Sequence, residues 1–138
     1  MQSLLLRILP LLLLPLAACT SPEQGYAGDE RPSSEVATLS ISYDAQGRTI
    51  TVGSINGMAT ELEARSVVRI LPGRCALAGR ARGFGQPSVG APYAIEFLAR
   101  AGGNYVLLLD QPHHSERLLV SVEDMDTKEV LAELDYWP

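Results

Sequence analysis

Apolar and polar residues alternate with a period of two through most of the chain. In "EVATLSISYD", Ala37, Leu39, Ile41 and Tyr43 interleave with Thr38, Ser40 and Ser42, the pattern of a strand with one buried face. Asp44-Ala45-Gln46-Gly47 is turn chemistry, and "RTITV" returns with Ile50 and Val52 on one side. Asn56-Gly57 marks a tight turn. "ATELEAR" then reads as loop or as the lead-in to a strand. "SVVRIL" is a β-branched run that stops at Pro72-Gly73. "RCALAGRAR" is expected to return beside it as an antiparallel hairpin. Cys75, Leu77, Gly79 and Ala81 would share one face of that strand, and Arg74, Arg80 and Arg82 the other.

The second half repeats the theme. After the loop "GFGQPSVGAP" (residues 83–92), "YAIEFLAR" groups Tyr93, Ile95 and Phe97. Gly102-Gly103-Asn104 turns into "YVLLLD", an almost wholly apolar run expected of a central strand. "RLLVSVED" points Leu118, Val120 and Val122 one way, and "EVLAELDYW" places Val130, Leu134 and Tyr136 together. Short strands with frequent turns and no convincing helix predict an all-β chain, a small antiparallel β-sandwich. A small open β-barrel is the alternative.

Only the N-terminus breaks the pattern. "LLLLPLAACTS" (residues 11–21) closes an apolar stretch that begins at Leu4 and is interrupted by Arg7 and two prolines. It is short for a transmembrane helix, which needs roughly 20 apolar residues. A charged start, a short apolar centre and a small-residue exit describe a secretory signal peptide, here residues 1–18. Leu16-Ala17-Ala18-Cys19 resembles the lipobox of bacterial lipoproteins, whose cysteine is acylated before the peptide is cut ahead of it. Residues 20–35, "TSPEQGYAGDERPSSE", are polar and rich in Pro, Gly and Ser, with only Tyr26 and Ala27 to bury. They are expected to form a tether with the lipidated Cys19, so residues 19–35 precede a sandwich domain spanning 36–138. Thr20 follows the cysteine where Asp would hold a lipoprotein in the inner membrane, so the rule implies the outer membrane, facing the periplasm.

Composition narrows the chemistry. With 138 residues the chain has room for one core. If Cys19 carries lipid, Cys75 has no partner for an internal disulfide, and it reads as a small buried hydrophobe; an intermolecular disulfide is the alternative. The net charge of −5 argues against a nucleic-acid partner. Its distribution is uneven: residues 64–95 contain five arginines (65, 69, 74, 80 and 82) and no acid. Arg74, Arg80 and Arg82 are therefore the candidate contacts to an anion or a partner, unless acids on neighbouring strands pair with them.

Motifs for catalysis, metal or cofactor are weak. His113-His114-x-Glu116 is the only histidine cluster, and a catalytic zinc needs three convergent ligands. Asp124-x-Asp126 lacks the glycine of a calcium loop and reads as a hairpin turn. Gly83-x-Gly85 precedes no helix that would cradle phosphate, and no serine sits in a G-x-S-x-G elbow. The expectation is a non-enzyme without metal or cofactor.

Residues 26–137 resemble a family of small bacterial outer-membrane lipoproteins with a PEGA-like β-sandwich domain. Tyr26, Gly28, Arg31, Pro32, Glu35, Val36, Ala37 and Leu39 match the family's opening segment. "ITVGSINGM", the Leu71-Pro72-Gly73 turn and the turn from Ala101 to Tyr105 approximate its later features. The resemblance implies fold and localisation and carries no activity. The expected role is a lipid-anchored binding or assembly module of the envelope, held to the membrane by its lipid and contacting an envelope protein or polymer. An inhibitor of a cell-wall hydrolase such as lysozyme, using the loop at 83–92, is the alternative.

Overall fold

A computed structural model describes residues 22–42, 48–85, 90–112 and 116–136. The alternation becomes ten strands: β1 (Glu23–Gln24), β2 (Ala37–Ile41), β3 (Thr49–Ile55), β4 (Met58–Leu62), β5 (Val67–Ile70), β6 (Gly73–Arg82), β7 (Ala91–Ala99), β8 (Asn104–Asp110), β9 (Leu118–Asp124) and β10 (Val130–Tyr136). A single 3₁₀ turn, Ser33–Glu35, is the only helical element among the described residues. One sheet has the order β1-β5-β2-β8-β9-β10 and the other β4-β3-β6-β7. They form a small all-β sandwich without barrel closure.

The core lies between the sheets and is built from the residues that the period of two selects. Leu39 and Ile41 of β2, Ile50 and Val52 of β3, and Leu118, Val120 and Val122 of β9 are all buried. Cys75, Leu77 and Ala81 of β6 and Tyr93, Ile95 and Phe97 of the adjacent β7 line the inner face of the four-stranded sheet. The Phe97 and Tyr105 rings pack tilted, with centroids 5.2 Å apart, a favourable arrangement for aromatic quadrupoles. The Tyr93 hydroxyl donates to the Thr51 carbonyl at 2.7 Å, so its one polar atom is satisfied at the margin of the core.

Four features depart from the expectations. First, Pro72-Gly73 does turn the chain, with Gly73 at φ 101°, but β5 and β6 lie in different sheets. The expected hairpin is a corner that carries the chain across the sandwich. Second, "ATELEAR" contributes a true strand, β4, which pairs with β3 and buries Leu62. Third, two pairings are parallel, β1 with β5 and β2 with β8, in an otherwise antiparallel fold. Fourth, a register shift between Val130 and Ala132 leaves Val130 half exposed, so it does not join Leu134 on the core side.

The expected tether at 19–35 is also corrected, because its described part is folded. Glu23 and Gln24 pair with Val68 and Arg69. Gly25 donates to the Arg69 carbonyl at 2.8 Å, and Tyr26 is buried. A Cβ on Gly25 would stand 2.8 Å from that carbonyl oxygen and 2.8 Å from Val68 Cγ2, so the close approach needs glycine. Arg69 closes the arm from above, with Nη1 2.6 Å from Glu30 Oε1. The packed body thus includes residues ahead of Val36, among them Glu23, Gln24 and Tyr26. A two-residue polar strand has no periodicity to announce it.

Strand directions fix the two ends of the sandwich. β5 starts where β2 finishes, level with Val106 in the interior of β8, and Glu23 of β1 stands beside Val68. β8 runs on to Asp110, where Arg48 donates to Asp110 Oδ1 at 3.3 Å and to the Gln111 carbonyl at 3.4 Å. Arg48 leads into β3, whose first residue, Thr49, pairs with Arg82 at the finish of β6. Gln111, Arg82 and the start of β7 therefore share one end, called here the Gln111 end. The corner at Gly73, the Asn56-Gly57 turn and the β9–β10 turn occupy the other.

Candidate functional site

The outer face of the four-stranded sheet is the uncovered side of the candidate basic strand. On β6, Cys75, Leu77 and Ala81 point inward, so Arg74, Ala76, Ala78, Arg80 and Arg82 point outward, as the alternation predicts. Small residues in the middle leave an open depression of about 400 Å³, lined by Ser54, Gly57, Ala76, Ala78, Ala94 and Glu96. Its one ionisable side chain, Glu96, is engaged by Arg74 across the strand pair.

The three candidate arginines share a face but do not converge. Arg74 and Arg80 are six residues apart on one strand, roughly 20 Å at ~3.3 Å per residue. Arg74 stands at the Gly73 end, paired with Glu96, with both side chains exposed. Arg80 Nη1 donates to the Gly90 carbonyl at 3.2 Å, which ties the finish of β6 to the start of β7. Among the described residues neither Arg80 nor Arg82 has a carboxylate partner. Of the five arginines in the acid-free segment, Arg69 and Arg74 are thus matched to acids, and on β6 Arg80 and Arg82 are the outward cations without a carboxylate partner among the described residues.

Beyond Arg82 the chain makes a feature that the charge pattern did not single out. Gly83 is buried against Gln111, and a Cβ on it would lie 2.7 Å from Gln111 Oε1. The Phe84 amide donates to that same oxygen at 2.8 Å. The glycine admits the glutamine, and the glutamine holds the base of the loop. Phe84 itself stands 76 % exposed. A phenylalanine between two glycines, continuing the outward phase of Arg80 and Arg82, was the available signal. Residues 86–89 of the loop invoked for a hydrolase inhibitor lie outside the described residues, as do His113 and His114.

The remaining candidates take structural positions. Cys75 is fully buried, and burial pushes its thiol up to about 12. It is a core residue, closed to an intermolecular disulfide in the folded chain. Asp124 accepts from the amides of Asp126 at 2.9 Å and Thr127 at 3.2 Å, and its Oδ2 lies 2.9 Å from Arg100 Nη2. This is the hairpin turn that the sequence implied. Arg117 and Asp135 form a forked pair across β9 and β10, which lowers the Asp135 carboxyl from its ordinary value. Among the described residues no group of three acidic, histidine or cysteine side chains is placed to hold a metal ion. The lipobox residues Leu16, Ala17, Ala18 and Cys19 precede the described part, and Cys19 is three residues before Pro22.

The chain matches no family model, no curated protein and no solved structure at a significant level.

Proposed function

We propose that this chain is a lipid-anchored, non-catalytic module of the bacterial envelope. Acyl chains on Cys19 would attach it to the outer membrane, with its body in the periplasm as a binding or assembly element for an envelope protein or polymer. Leu16-Ala17-Ala18-Cys19 supports the anchor, and Thr20 supports the outer membrane. The observation that carries the reading is the closeness of that cysteine to the folded body. From Cys19 to Pro22 the chain spans at most about 11 Å, at ~3.6 Å per residue. Such a link suits an attachment that sets the height of the body above a surface. The relation to PEGA-like lipoproteins belongs to the same proposal, resting on the opening segment from Tyr26 to Leu39. The outer face of the β4-β3-β6-β7 sheet offers the partner an uncovered surface, with Arg74, Arg80 and Arg82 as its cations.

The test is metabolic labelling with a radioactive fatty acid in a host that processes lipoproteins. The mature protein is expected to carry label and to fractionate with the outer membrane. Cys19→Ala is expected to abolish labelling and release the domain. An unlabelled mature protein would sink the reading. Affinity capture from crosslinked envelopes, with the lipidated full-length chain, then identifies the partner.

A further inference from the structure

The edges of the two sheets are not equally protected. An edge strand presents a row of unpaired N–H and C=O groups, and folded proteins usually blunt it. β1 is only two residues long. The pairings of β4 and of β10 are each interrupted by a register shift. The remaining edge, β7, is nine residues long and pairs with β6 without a shift. Among the described residues no strand pairs with its other side.

The register decides which groups this edge offers. The Ala76 amide donates to Asn56 Oδ1 at 2.8 Å, and the Ala76 carbonyl accepts from the Asn56 amide at 2.8 Å. Even-numbered residues of β6 therefore bond toward β3, and odd-numbered ones bond toward Phe97, Ile95, Tyr93 and Ala91 of β7. That leaves the even-numbered residues of β7 with their backbone groups directed outward. Ala94, Glu96 and Leu98 each offer an N–H and a C=O. The supply of donors ends on both flanks. Pro92, at the Gln111 end, has no N–H. The Arg100 amide donates to the Tyr105 hydroxyl at 2.8 Å, and its carbonyl accepts from the Gly103 amide at 3.0 Å. The outward donors are thus symmetric about Glu96.

We infer that β7 pairs antiparallel with β7 of a second copy of this chain, about a two-fold axis at Glu96. Ala94 of each copy then faces Leu98 of the other, Glu96 faces Glu96, and every outward N–H of the three residues meets a carbonyl. The side chains are complementary in the same register. Leu98 is 74 % exposed, while Ala94 lines the open depression together with Ala76 and Ala78. Across the axis, Leu98 of one copy arrives beside Ala94 at the rim of the other's depression, so each copy gives a leucine and receives one. The opposed Glu96 carboxylates oppose the pairing, and the Arg74 guanidinium engaging each of them offsets part of that cost. The two four-stranded sheets become one continuous sheet. Nothing in the pairing depends on lipid at Cys19.

The test follows the mass of the full-length chain in mild detergent against concentration, by light scattering. The parent is expected to be a dimer that dissociates on dilution. Ala94→Pro removes an outward N–H that the β6–β7 ladder does not use, so the monomer should still fold. Its dimer should be weaker by about tenfold or more, through the bond lost on each side of the axis. Glu96→Gln removes the opposed charges and is expected to tighten the dimer by about two- to fivefold. In intact envelopes, Glu96→Cys lies on the axis and should be joined to itself by a short bismaleimide, with the linked peptides identified by mass spectrometry. Glu61→Cys, exposed on β4 at the opposite edge of the sheet, should not. If Ala94→Pro does not fold, the crosslink at Glu96→Cys decides. A chain that stays monomeric, with no self-crosslink at Glu96→Cys, overturns the inference. A dimer undiminished in folded Ala94→Pro does the same, as does a crosslink from Glu96→Cys to a different protein alone, which would put that protein's strand on β7 instead.

Discussion

Gln111 Oε1 accepts the Phe84 amide at 2.8 Å, a bond between the loop after β6 and the finish of β8. It joins the two sheets at one end of the sandwich, in parallel with the contacts of Arg48 to Asp110 and to the Gln111 carbonyl. The core between the sheets is apolar and non-directional, so bonds of this kind set how the loop bases stand relative to one another.

Gln111→Ala is expected to free the Phe84 amide without unfolding the body. The lost bond is worth about 1 kcal/mol. Gly83→Ala should act through the same contact, since its Cβ would meet the Gln111 amide at 2.7 Å and push that flexible end aside. Amide exchange at Phe84, followed by NMR, should accelerate in both variants while amides of β6 and β8 keep their protection. Unchanged exchange at Phe84 would show that the loop base is held by something else.

Asp124 predicts an acid limb of the stability curve. Burial alone would raise its carboxyl, but the amides of Asp126 and Thr127 and the guanidinium of Arg100 outweigh that and hold it below its ordinary value. A carboxyl depressed on folding contributes stability that is fully present above its unfolded value, near pH 4, and is lost as pH falls through the folded value. Urea midpoints of the parent should therefore drop between pH 5 and pH 2, and Asp124→Asn should show a shallower drop. Identical pH dependence in parent and variant would rule the turn out as the source.

Cys75 is expected to be unreactive in the folded chain. Its thiol is fully buried and shifted up to about 12, so at pH 8 the nucleophilic thiolate is scarce as well as inaccessible. In acylated protein, where Cys19 is blocked, Ellman's reagent should titrate no thiol until urea unfolds the chain. Cys75→Ser should cost ~1–3 kcal/mol by burying a hydroxyl among apolar neighbours. Rapid labelling under native conditions would contradict the placement.

The fold was legible wherever one face of a strand had to be buried. Leu39 with Ile41, Ile50 with Val52, and Leu118 with Val120 and Val122 all took the side that alternation assigned, because a slip by one residue exposes the whole set. Sheet membership was not legible. Pro72-Gly73 states that the chain turns there, but local turn chemistry is indifferent to whether the next strand stays in the same sheet. β4 buries only Leu62, too little for a periodic signal. The site divides the same way. The shared face of Arg74, Arg80 and Arg82 follows from parity. The pairing of Arg74 with Glu96, and the meeting of Phe84 with Gln111, depend on strand order and on how the two sheets pack, which pairwise spacing does not encode.

The folded arm gives the last prediction, linking local packing to the length of free chain between Cys19 and the body. Gly25→Ala would place a Cβ 2.8 Å from the Arg69 carbonyl oxygen, a backbone atom that cannot step aside as a flexible side-chain end can. Overpacking of this kind costs about 1–3 kcal/mol, and the least costly relief is to lift β1 and Tyr26 off β5. The arm would then become a true tether. From Cys19 to Val36 its 17 steps reach at most about 60 Å, against about 11 Å for the three steps to Pro22, at ~3.6 Å per residue. Limited proteolysis of the acylated variant should cut between Gly25 and Ser34, where the parent resists. Amide exchange at position 25, whose N–H donates to the Arg69 carbonyl in the parent, should accelerate in the variant. An arm that resists protease and keeps its slow exchange in the variant would show that β1 accommodates the added Cβ and that glycine is not required there.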